Sequence, residues 1–205
     1  VKRILAALTI AVLGASLAGP ARADDQNLRL RGTITSVDHD TLSLALASGP
    51  ATVLLTPTTR VGYVVKSDLS AIKPGMAVGS AAVTGPDGVL RAREVHIFPA
   101  GSTPNLGVSP WDSEPGASMT NATVTTVADA KVDSVGGHTI TVTLPSGATS
   151  QIFVGPATPV VGAAPADRSA LVAGAHVIVF AVKHDDGSTT ARVVNVGQNG
   201  LVPPM

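Results

Sequence analysis

The segment Thr58–Phe98, TTRVGYVVKSDLSAIKPGMAVGSAAVTGPDGVLRAREVHIF, recurs about a hundred residues later as Ala157–Val196. Asp68 aligns with Asp167, Gly75 with Gly174, Asp87-Gly88 with Asp186-Gly187, and Ala92-Arg93 with Ala191-Arg192, all at one offset of 99 positions. A constant offset through these landmarks marks a duplicated unit, so whatever one copy builds the other must build too.

Within each copy, short runs of Val, Thr, Leu and Ala alternate with Gly, Pro, Asp and Ser, and helical periods are nearly absent, which predicts an all-β fold. Arg29–Val37 and Thr41–Ala47 read as the first two strands, with Leu42, Leu44 and Leu46 on one face. Thr52–Leu55 and Thr59–Val65 follow, then a helical turn from Leu69 to Ile72 with Ser67 as its expected N-cap and Pro74-Gly75 as its stop. Met76–Val83 and Val89–Phe98 complete the copy across the Pro86-Asp87-Gly88 turn. The second copy repeats the order with Ala122–Ala128, His138–Leu144, Ser150–Val154, a turn at Asp167–Leu171, Ala175–Val182 and Thr189–Val196.

Three strands, a helical turn and two strands is the order of a small OB-like Greek-key barrel, so the expected architecture is a tandem pair of such barrels. The expected boundaries are 1–23 signal peptide, 24–98 first barrel, 99–120 linker, 121–198 second barrel and 199–205 an extended tail. The linker carries the one Trp, Trp111, and reads either as a flexible connection or as a strap pinned across a barrel by that ring.

The N-terminus carries its own signal: Lys2-Arg3, an apolar run Ile4–Ala18, and Ala21-Arg22-Ala23 as a small-x-small cleavage site. That run of about 15 residues is shorter than the roughly 20 needed to span a bilayer, which predicts an exported, periplasmic mature chain with no membrane span. Without Lys2, Arg3 and Arg22, the 14 basic residues fall to 11 against 14 acidic ones. An acidic chain with one Trp, one Tyr and three Phe offers neither the basic stripe nor the stacking platforms of a nucleic-acid binder.

Several strings together resemble a known family: RGTITSVD, LSAIKPGMAVGSAAVTGPDGVLRAREVHIFP, Pro110-Trp111-Asp112 with Met119–Ala122, and the ending VPPM. They resemble proteobacterial exported proteins grouped under domain of unknown function 5666. The resemblance implies an OB-like barrel repeat in the periplasm and brings no activity or catalytic residue with it. Relatives are sometimes labelled permeases of metal transporters, a label that needs several membrane spans this sequence lacks.

Catalytic chemistry has little to build on. There is no Cys, no GxSxG elbow, no HExxH and no Walker loop, so the chain is read as a non-enzyme. Asp38-His39-Asp40 and His184-Asp185-Asp186 mix imidazole with carboxylates, but Asp is favoured in hairpin turns for backbone reasons alone. Asp68 with Arg93 recurs as Asp167 with Arg192, and a feature kept in both copies is expected to serve the fold, as an ion pair tying the turn to a strand.

Glu94 and His96 align with Val193 and Asn195, so this polar couple belongs to the first copy alone. As i and i+2 on one strand they share a face, either a solvated strand surface or a binding site. Arg91 lies on the same strand, and Trp111-Asp112 can fold back over it. The expected function is therefore a non-enzymatic periplasmic binding module for a protein or small ligand, with Glu94, His96, Arg91, Trp111 and Asp112 as binding residues. The alternative is a metal-binding accessory protein in which Glu94 and His96 ligate a divalent ion, with Asp112 or a more distant carboxylate completing the shell.

Overall fold

The computed structural model describes residues 26–102, 104–112, 114–132 and 135–205. The expected signal peptide, 1–23, lies outside the described residues. The fold is all-β. Its strands are β1 (Gln26–Asp38), β2 (Thr41–Leu46), β3 (Gly49–Lys66), β4 (Ala77–Thr84), β5 (Leu90–Ala92), β6 (Val95–Ile97), β7 (Gly107–Pro110), β8 (Ala117–Val132), β9 (Val135–Thr143), β10 (Thr149–Val154), β11 (Val160–Pro165), β12 (His176–Lys183) and β13 (Thr189–Gly197). Three-residue 3₁₀ turns at Leu69–Ala71, Arg168–Ala170 and Gln198–Gly200 are the helical pieces among the described residues.

The strands do not close within each sequence repeat. β1, β2 and β3 pair in order, β3 then pairs in parallel with β13, β13 with β12, and β12 back with β1. That circuit takes three strands from the first repeat and two from the second. The other circuit is its complement: β8, β9 and β10 of the second repeat, closed by β5 and β4 of the first. Neither the expected 24–98 nor the expected 121–198 unit closes a barrel by itself: each circuit draws strands from both.

The crossing point explains the exchange. β3 spans 18 residues, with Thr56–Thr59 bulging out where its register against β13 shifts, and is longer than one small barrel needs. Its residues as far as Val64 pair within barrel one, and Gly62–Lys66 pair antiparallel with β11 on the other edge. The chain then delivers the first 3₁₀ turn and β4–β6 to barrel two. β11 makes the reciprocal crossing, and the register Gly62↔Pro165, Val64↔Ala163, Lys66↔Val161 maps onto itself under the 99-residue offset. An approximate two-fold axis therefore passes by Val64 and Ala163.

Each barrel has a dry interior. The strand faces built on Leu42 and Leu44 and on Ile140 and Val142 turn inward as the alternation predicts, the first group with Ile34, Val179 and Val194, the second with Val78, Val95 and Ile152. A third apolar cluster lies between the barrels: Val64, Ala81, Trp111, Met119, Val161, Ile178 and Met205. The 99–120 segment is accordingly a strap. Its β7 pairs with β8, Trp111 N donates to the Ala117 carbonyl at 2.9 Å, and the Trp111 ring is 8 % exposed.

The tail returns to the same layer. Arg31 Nε donates to the Met205 carbonyl at 2.5 Å, and the Leu201 carbonyl presses on Gly197 where any Cβ would overlap it.

The expected Asp68–Arg93 and Asp167–Arg192 ion pairs do not form. Asp68 and Asp167 are the N-caps of their 3₁₀ turns, accepting from Ser70 N and Ser169 N at 2.8 Å each, so the cap is the Asp and not Ser67. A carboxylate two residues from an orphan amide is satisfied locally before it can reach another strand. The retained arginines mark a β-bulge instead: Arg93 N and Glu94 N both donate to the Ala81 carbonyl, at 2.7 and 3.4 Å, and the β12–β13 register shifts at the matching place beside Arg192. Their side chains go elsewhere, Arg93 to Glu114 of the strap and Arg192 to Asn27 Oδ1 at 3.2 Å.

Candidate functional site

The bulge at Arg93 sets where the predicted polar couple points. Ala92 and Val95 face the core of barrel two on either side of it, which leaves Glu94 and His96 on the outer face. That face is not solvated. β6 lies between β4 and β11, and the inter-barrel layer covers it, so Glu94 is 1 % and His96 6 % exposed. Neither Glu94 carboxylate oxygen has a hydrogen-bond partner, nor has His96 Nδ1 or Trp111 Nε1.

Burial acts on both groups in the direction that removes charge. It pushes the Glu94 carboxyl up to about 8 against a weaker opposing pull from Arg31, and pushes the His96 imidazole down to about 4. At neutral pH the couple is an uncharged acid and an uncharged imidazole. Its backbone is tied down where its side chains are not, with Ser80 Oγ donating to the Glu94 carbonyl at 2.8 Å. The His96 ring lies 5.1 Å from that of Phe98.

Of the other three predicted residues, two gather at the edge of this layer. Arg31 donates to both Asp112 oxygens, at 2.8 and 3.2 Å, and the Trp111 ring lies 4.3 Å from the Arg29 guanidinium and 5.5 Å from that of Arg31. These bonds to Arg31 hold the Asp112 carboxyl below its usual range. Arg91 goes elsewhere: its fork grips Asp87 in the β4–β5 turn at 2.6 and 2.9 Å.

The metal alternative needed a third donor, and Asp112 is committed to arginine. Among the described residues no three of His, Cys, Asp and Glu converge where an ion could be held. The two His-Asp turns fit this picture: Asp40 accepts from Arg168, Asp186 from Ser188 N, and His184 bonds Thr190.

The site that sequence reasoning missed is at the open end of barrel two. A groove of about 790 Å³ is lined by Lys66–Leu69, Gly136–His138, Gly155, Pro156, Thr158–Val161 and Leu201. A second hollow of about 680 Å³ shares Leu69 and His138 with it, so these two side chains stand between them. His138 Nδ1 lies 3.1 Å from Asp129 at the base of an extended hairpin. Ten residues separate Ile34 from its partner Leu44, whereas eighteen separate Val124 from Val142, so the second copy's hairpin is longer by eight.

Barrel one carries a side-chain clamp at the matching place. Arg168, the counterpart of Leu69, reaches from the second 3₁₀ turn to Asp40 Oδ1 and to the Thr56 carbonyl, both at 2.6 Å, and closes that end. The sequence signal was present in the repeat alignment: Leu69 set against Arg168.

Residues 31–96 match the family model of a domain of unknown function (DUF5666). The chain resembles that family through its first repeat. No curated protein and no solved structure matches it. The match begins inside β1 at Arg31 and ends at His96, so it takes in the second part of β1, all of β2–β5 and most of β6. The strands of the matched stretch are divided between the two barrels.

Proposed function

We propose that this chain is an exported, periplasmic, non-enzymatic binding module made of two OB-like barrels, and that its small-molecule site is the open end of barrel two. The OB-like reading is supported by the circuit order: numbering strands within a repeat, each barrel runs 1-2-3-5-4 and back to 1, with the helical turn between strands 3 and 4. One observation carries the site assignment. Two ends related by an approximate two-fold axis differ in that an arginine clamps one and a leucine leaves the other open.

The walls of the groove are mainly apolar, from Leu69, Pro156, Pro159, Val160 and Leu201, with Lys66, His138 and Thr158 as its polar points. Such a lining suits a small ligand with an apolar body and one anionic or accepting group. The export reading rests on the N-terminal sequence and is tested by fractionation and by an N-terminus at Asp24.

The binding test is thermal unfolding of residues 24–205 against a panel of amphiphilic carboxylates, with Zn²⁺, Mn²⁺, Ni²⁺ and Ca²⁺ in parallel. A ligand held at a hundred times its Kd stabilises the native state by about 2.7 kcal/mol. The expected result is a rise in Tm with a carboxylate that disappears in Leu69→Arg and survives Glu94→Ala/His96→Ala. A rise with a metal ion that survives Leu69→Arg and disappears in the double variant would replace this reading with the metal one.

A further inference from the structure

The two-fold relation also exposes a difference in how the first strand of each barrel is covered. The N-terminal half of β8 has strands on both edges: β4 pairs with Ala117–Thr123, and β7 of the strap pairs with Ser118–Asn121. The matching half of β1 has one. β12 pairs with Gln26–Thr33, but β2 begins only at Gly32, and among the described residues no strand is paired with the other edge of Gln26–Arg31. Ile34 and Val124 are the last paired residues before the same bulge, so Leu28–Arg31 stands where Ser118–Asn121 stands.

Alternate residues of a strand direct both N–H and C=O to the same side, so this edge carries a short row of backbone groups that no described strand takes up. Leu28 and Leu30 point into barrel one, which fixes the register of anything added. The molecule itself shows what an added segment looks like, because β7 is one.

A second, independent difference says what charge that segment carries. Arg93 and Arg192 occupy matching bulges, and Arg93 is held by Glu114, four residues beyond the end of β7. Arg192 is exposed, and the bond it makes is to the neutral amide oxygen of Asn27 at 3.2 Å. Lys183, opposite Gln26 on β12, is exposed at the same end of β1 and adds positive charge there.

We infer that the Leu28–Arg31 edge of β1 is a docking site for an extended, acidic peptide segment of a partner protein, added antiparallel as β7 is added to β8, with a carboxylate seated on Arg192. Main-chain pairing supplies the contact and the arginine selects the partner, the mode of β-strand addition. This site lies on barrel one and is independent of the groove on barrel two.

The test uses ¹⁵N-labelled residues 24–205 and a synthetic peptide of strap residues 106–116, LGVSPWDSEPG, as the probe. The expected result is at least tenfold slower amide exchange at the outward-facing positions of 28–31 on adding peptide. Affinity should fall at least fivefold when the peptide's glutamate is changed to lysine, and Arg192→Glu should reverse that preference. Arg192→Gln, which keeps the length of the side chain without its charge, should bind both peptides equally. The inference is overturned by no binding at millimolar peptide, by protection appearing at Gly136 and Gly137 instead, or by a dimer in which 28–31 are protected without peptide.

Discussion

The two barrels are built from the same strand order, and three of their differences bear on recognition. The turn that closes barrel one carries Arg168 where that of barrel two carries Leu69, and one end is clamped while the other opens into a groove. β8 carries the strap on its edge where β1 carries none. The outer face of barrel two buries Glu94 and His96 where that of barrel one has Val193 and Asn195, half-buried. What the copies share, the Asp caps and the Arg bulges, serves the fold. Where they differ, one copy has been released from that duty, and those are the places to look for recognition.

The largest effect tests whether the barrels are separable at all. Residues 24–98 alone supply three strands of one barrel and the rest of the other, so the fragment should show no cooperative unfolding as a monomer. Mixing it with residues 99–205 should restore a folded one-to-one complex by circular dichroism and size exclusion. A monomeric fragment with a cooperative transition would show that each repeat closes on itself.

Next comes the buried couple, which has no counterpart on barrel one. The unfolded chain ionises Glu94 near its ordinary value of 4.5 and the folded chain only near 8, so between those values the folded state holds the extra proton. Stability then falls as pH rises, by about 1.4 kcal/mol per pH unit, and levels off above 8. His96 works in reverse: its folded value is about 4 against 6.5, so its contribution is lost as pH falls from 6.5 to 4. The opposed slopes cancel between about 4.5 and 6.5, which predicts a plateau there in urea unfolding. Glu94→Gln should abolish the decline above the plateau and be more stable than the parent at pH 8 by about 4 kcal/mol. His96→Asn, the residue of the other copy, should abolish the decline below it.

A smaller effect is expected from exchanging the two ends. Arg168→Leu should cost about 1 kcal/mol, since it removes a partly exposed ion pair and one carbonyl bond. It should also open barrel one to the carboxylate ligand proposed for barrel two. A variant that unfolds outright would show that the clamp holds the barrel together and does more than close its end.

The smallest effect separates the caps from the bulges. Asp68→Ala and Arg93→Gln should each lower Tm slightly, and their effects should add, because the two side chains do not touch. Arg93→Gln and Glu114→Gln should not add. Coupling between Asp68 and Arg93 in this cycle would restore the ion pair that the repeat alignment suggested.

Local chemistry was legible without the structure. The alternation at Leu42–Leu46 and Ile140–Leu144, the turn at Pro86-Asp87-Gly88 and the 99-residue offset determine the strands, their inward faces and the fact that two like units exist, since each depends on neighbours a few residues apart. Glu94 and His96 were picked out because they break the repeat, and they do share a face.

What pairs with what could not be read. A strand's pattern says which side is buried and not which strand lies beside it, and β4 and β12, which share Val78/Val177, Ala82/Ala181 and Val83/Val182, give no sign of which barrel each joins. Only the continuation of β3 through Gly62–Lys66, and its pairing with β11, decided that each stretch would hand its last strands to the other barrel. That exchange in turn put Glu94 and His96 between two barrels instead of in solvent, where burial by residues far along the chain sets their charge.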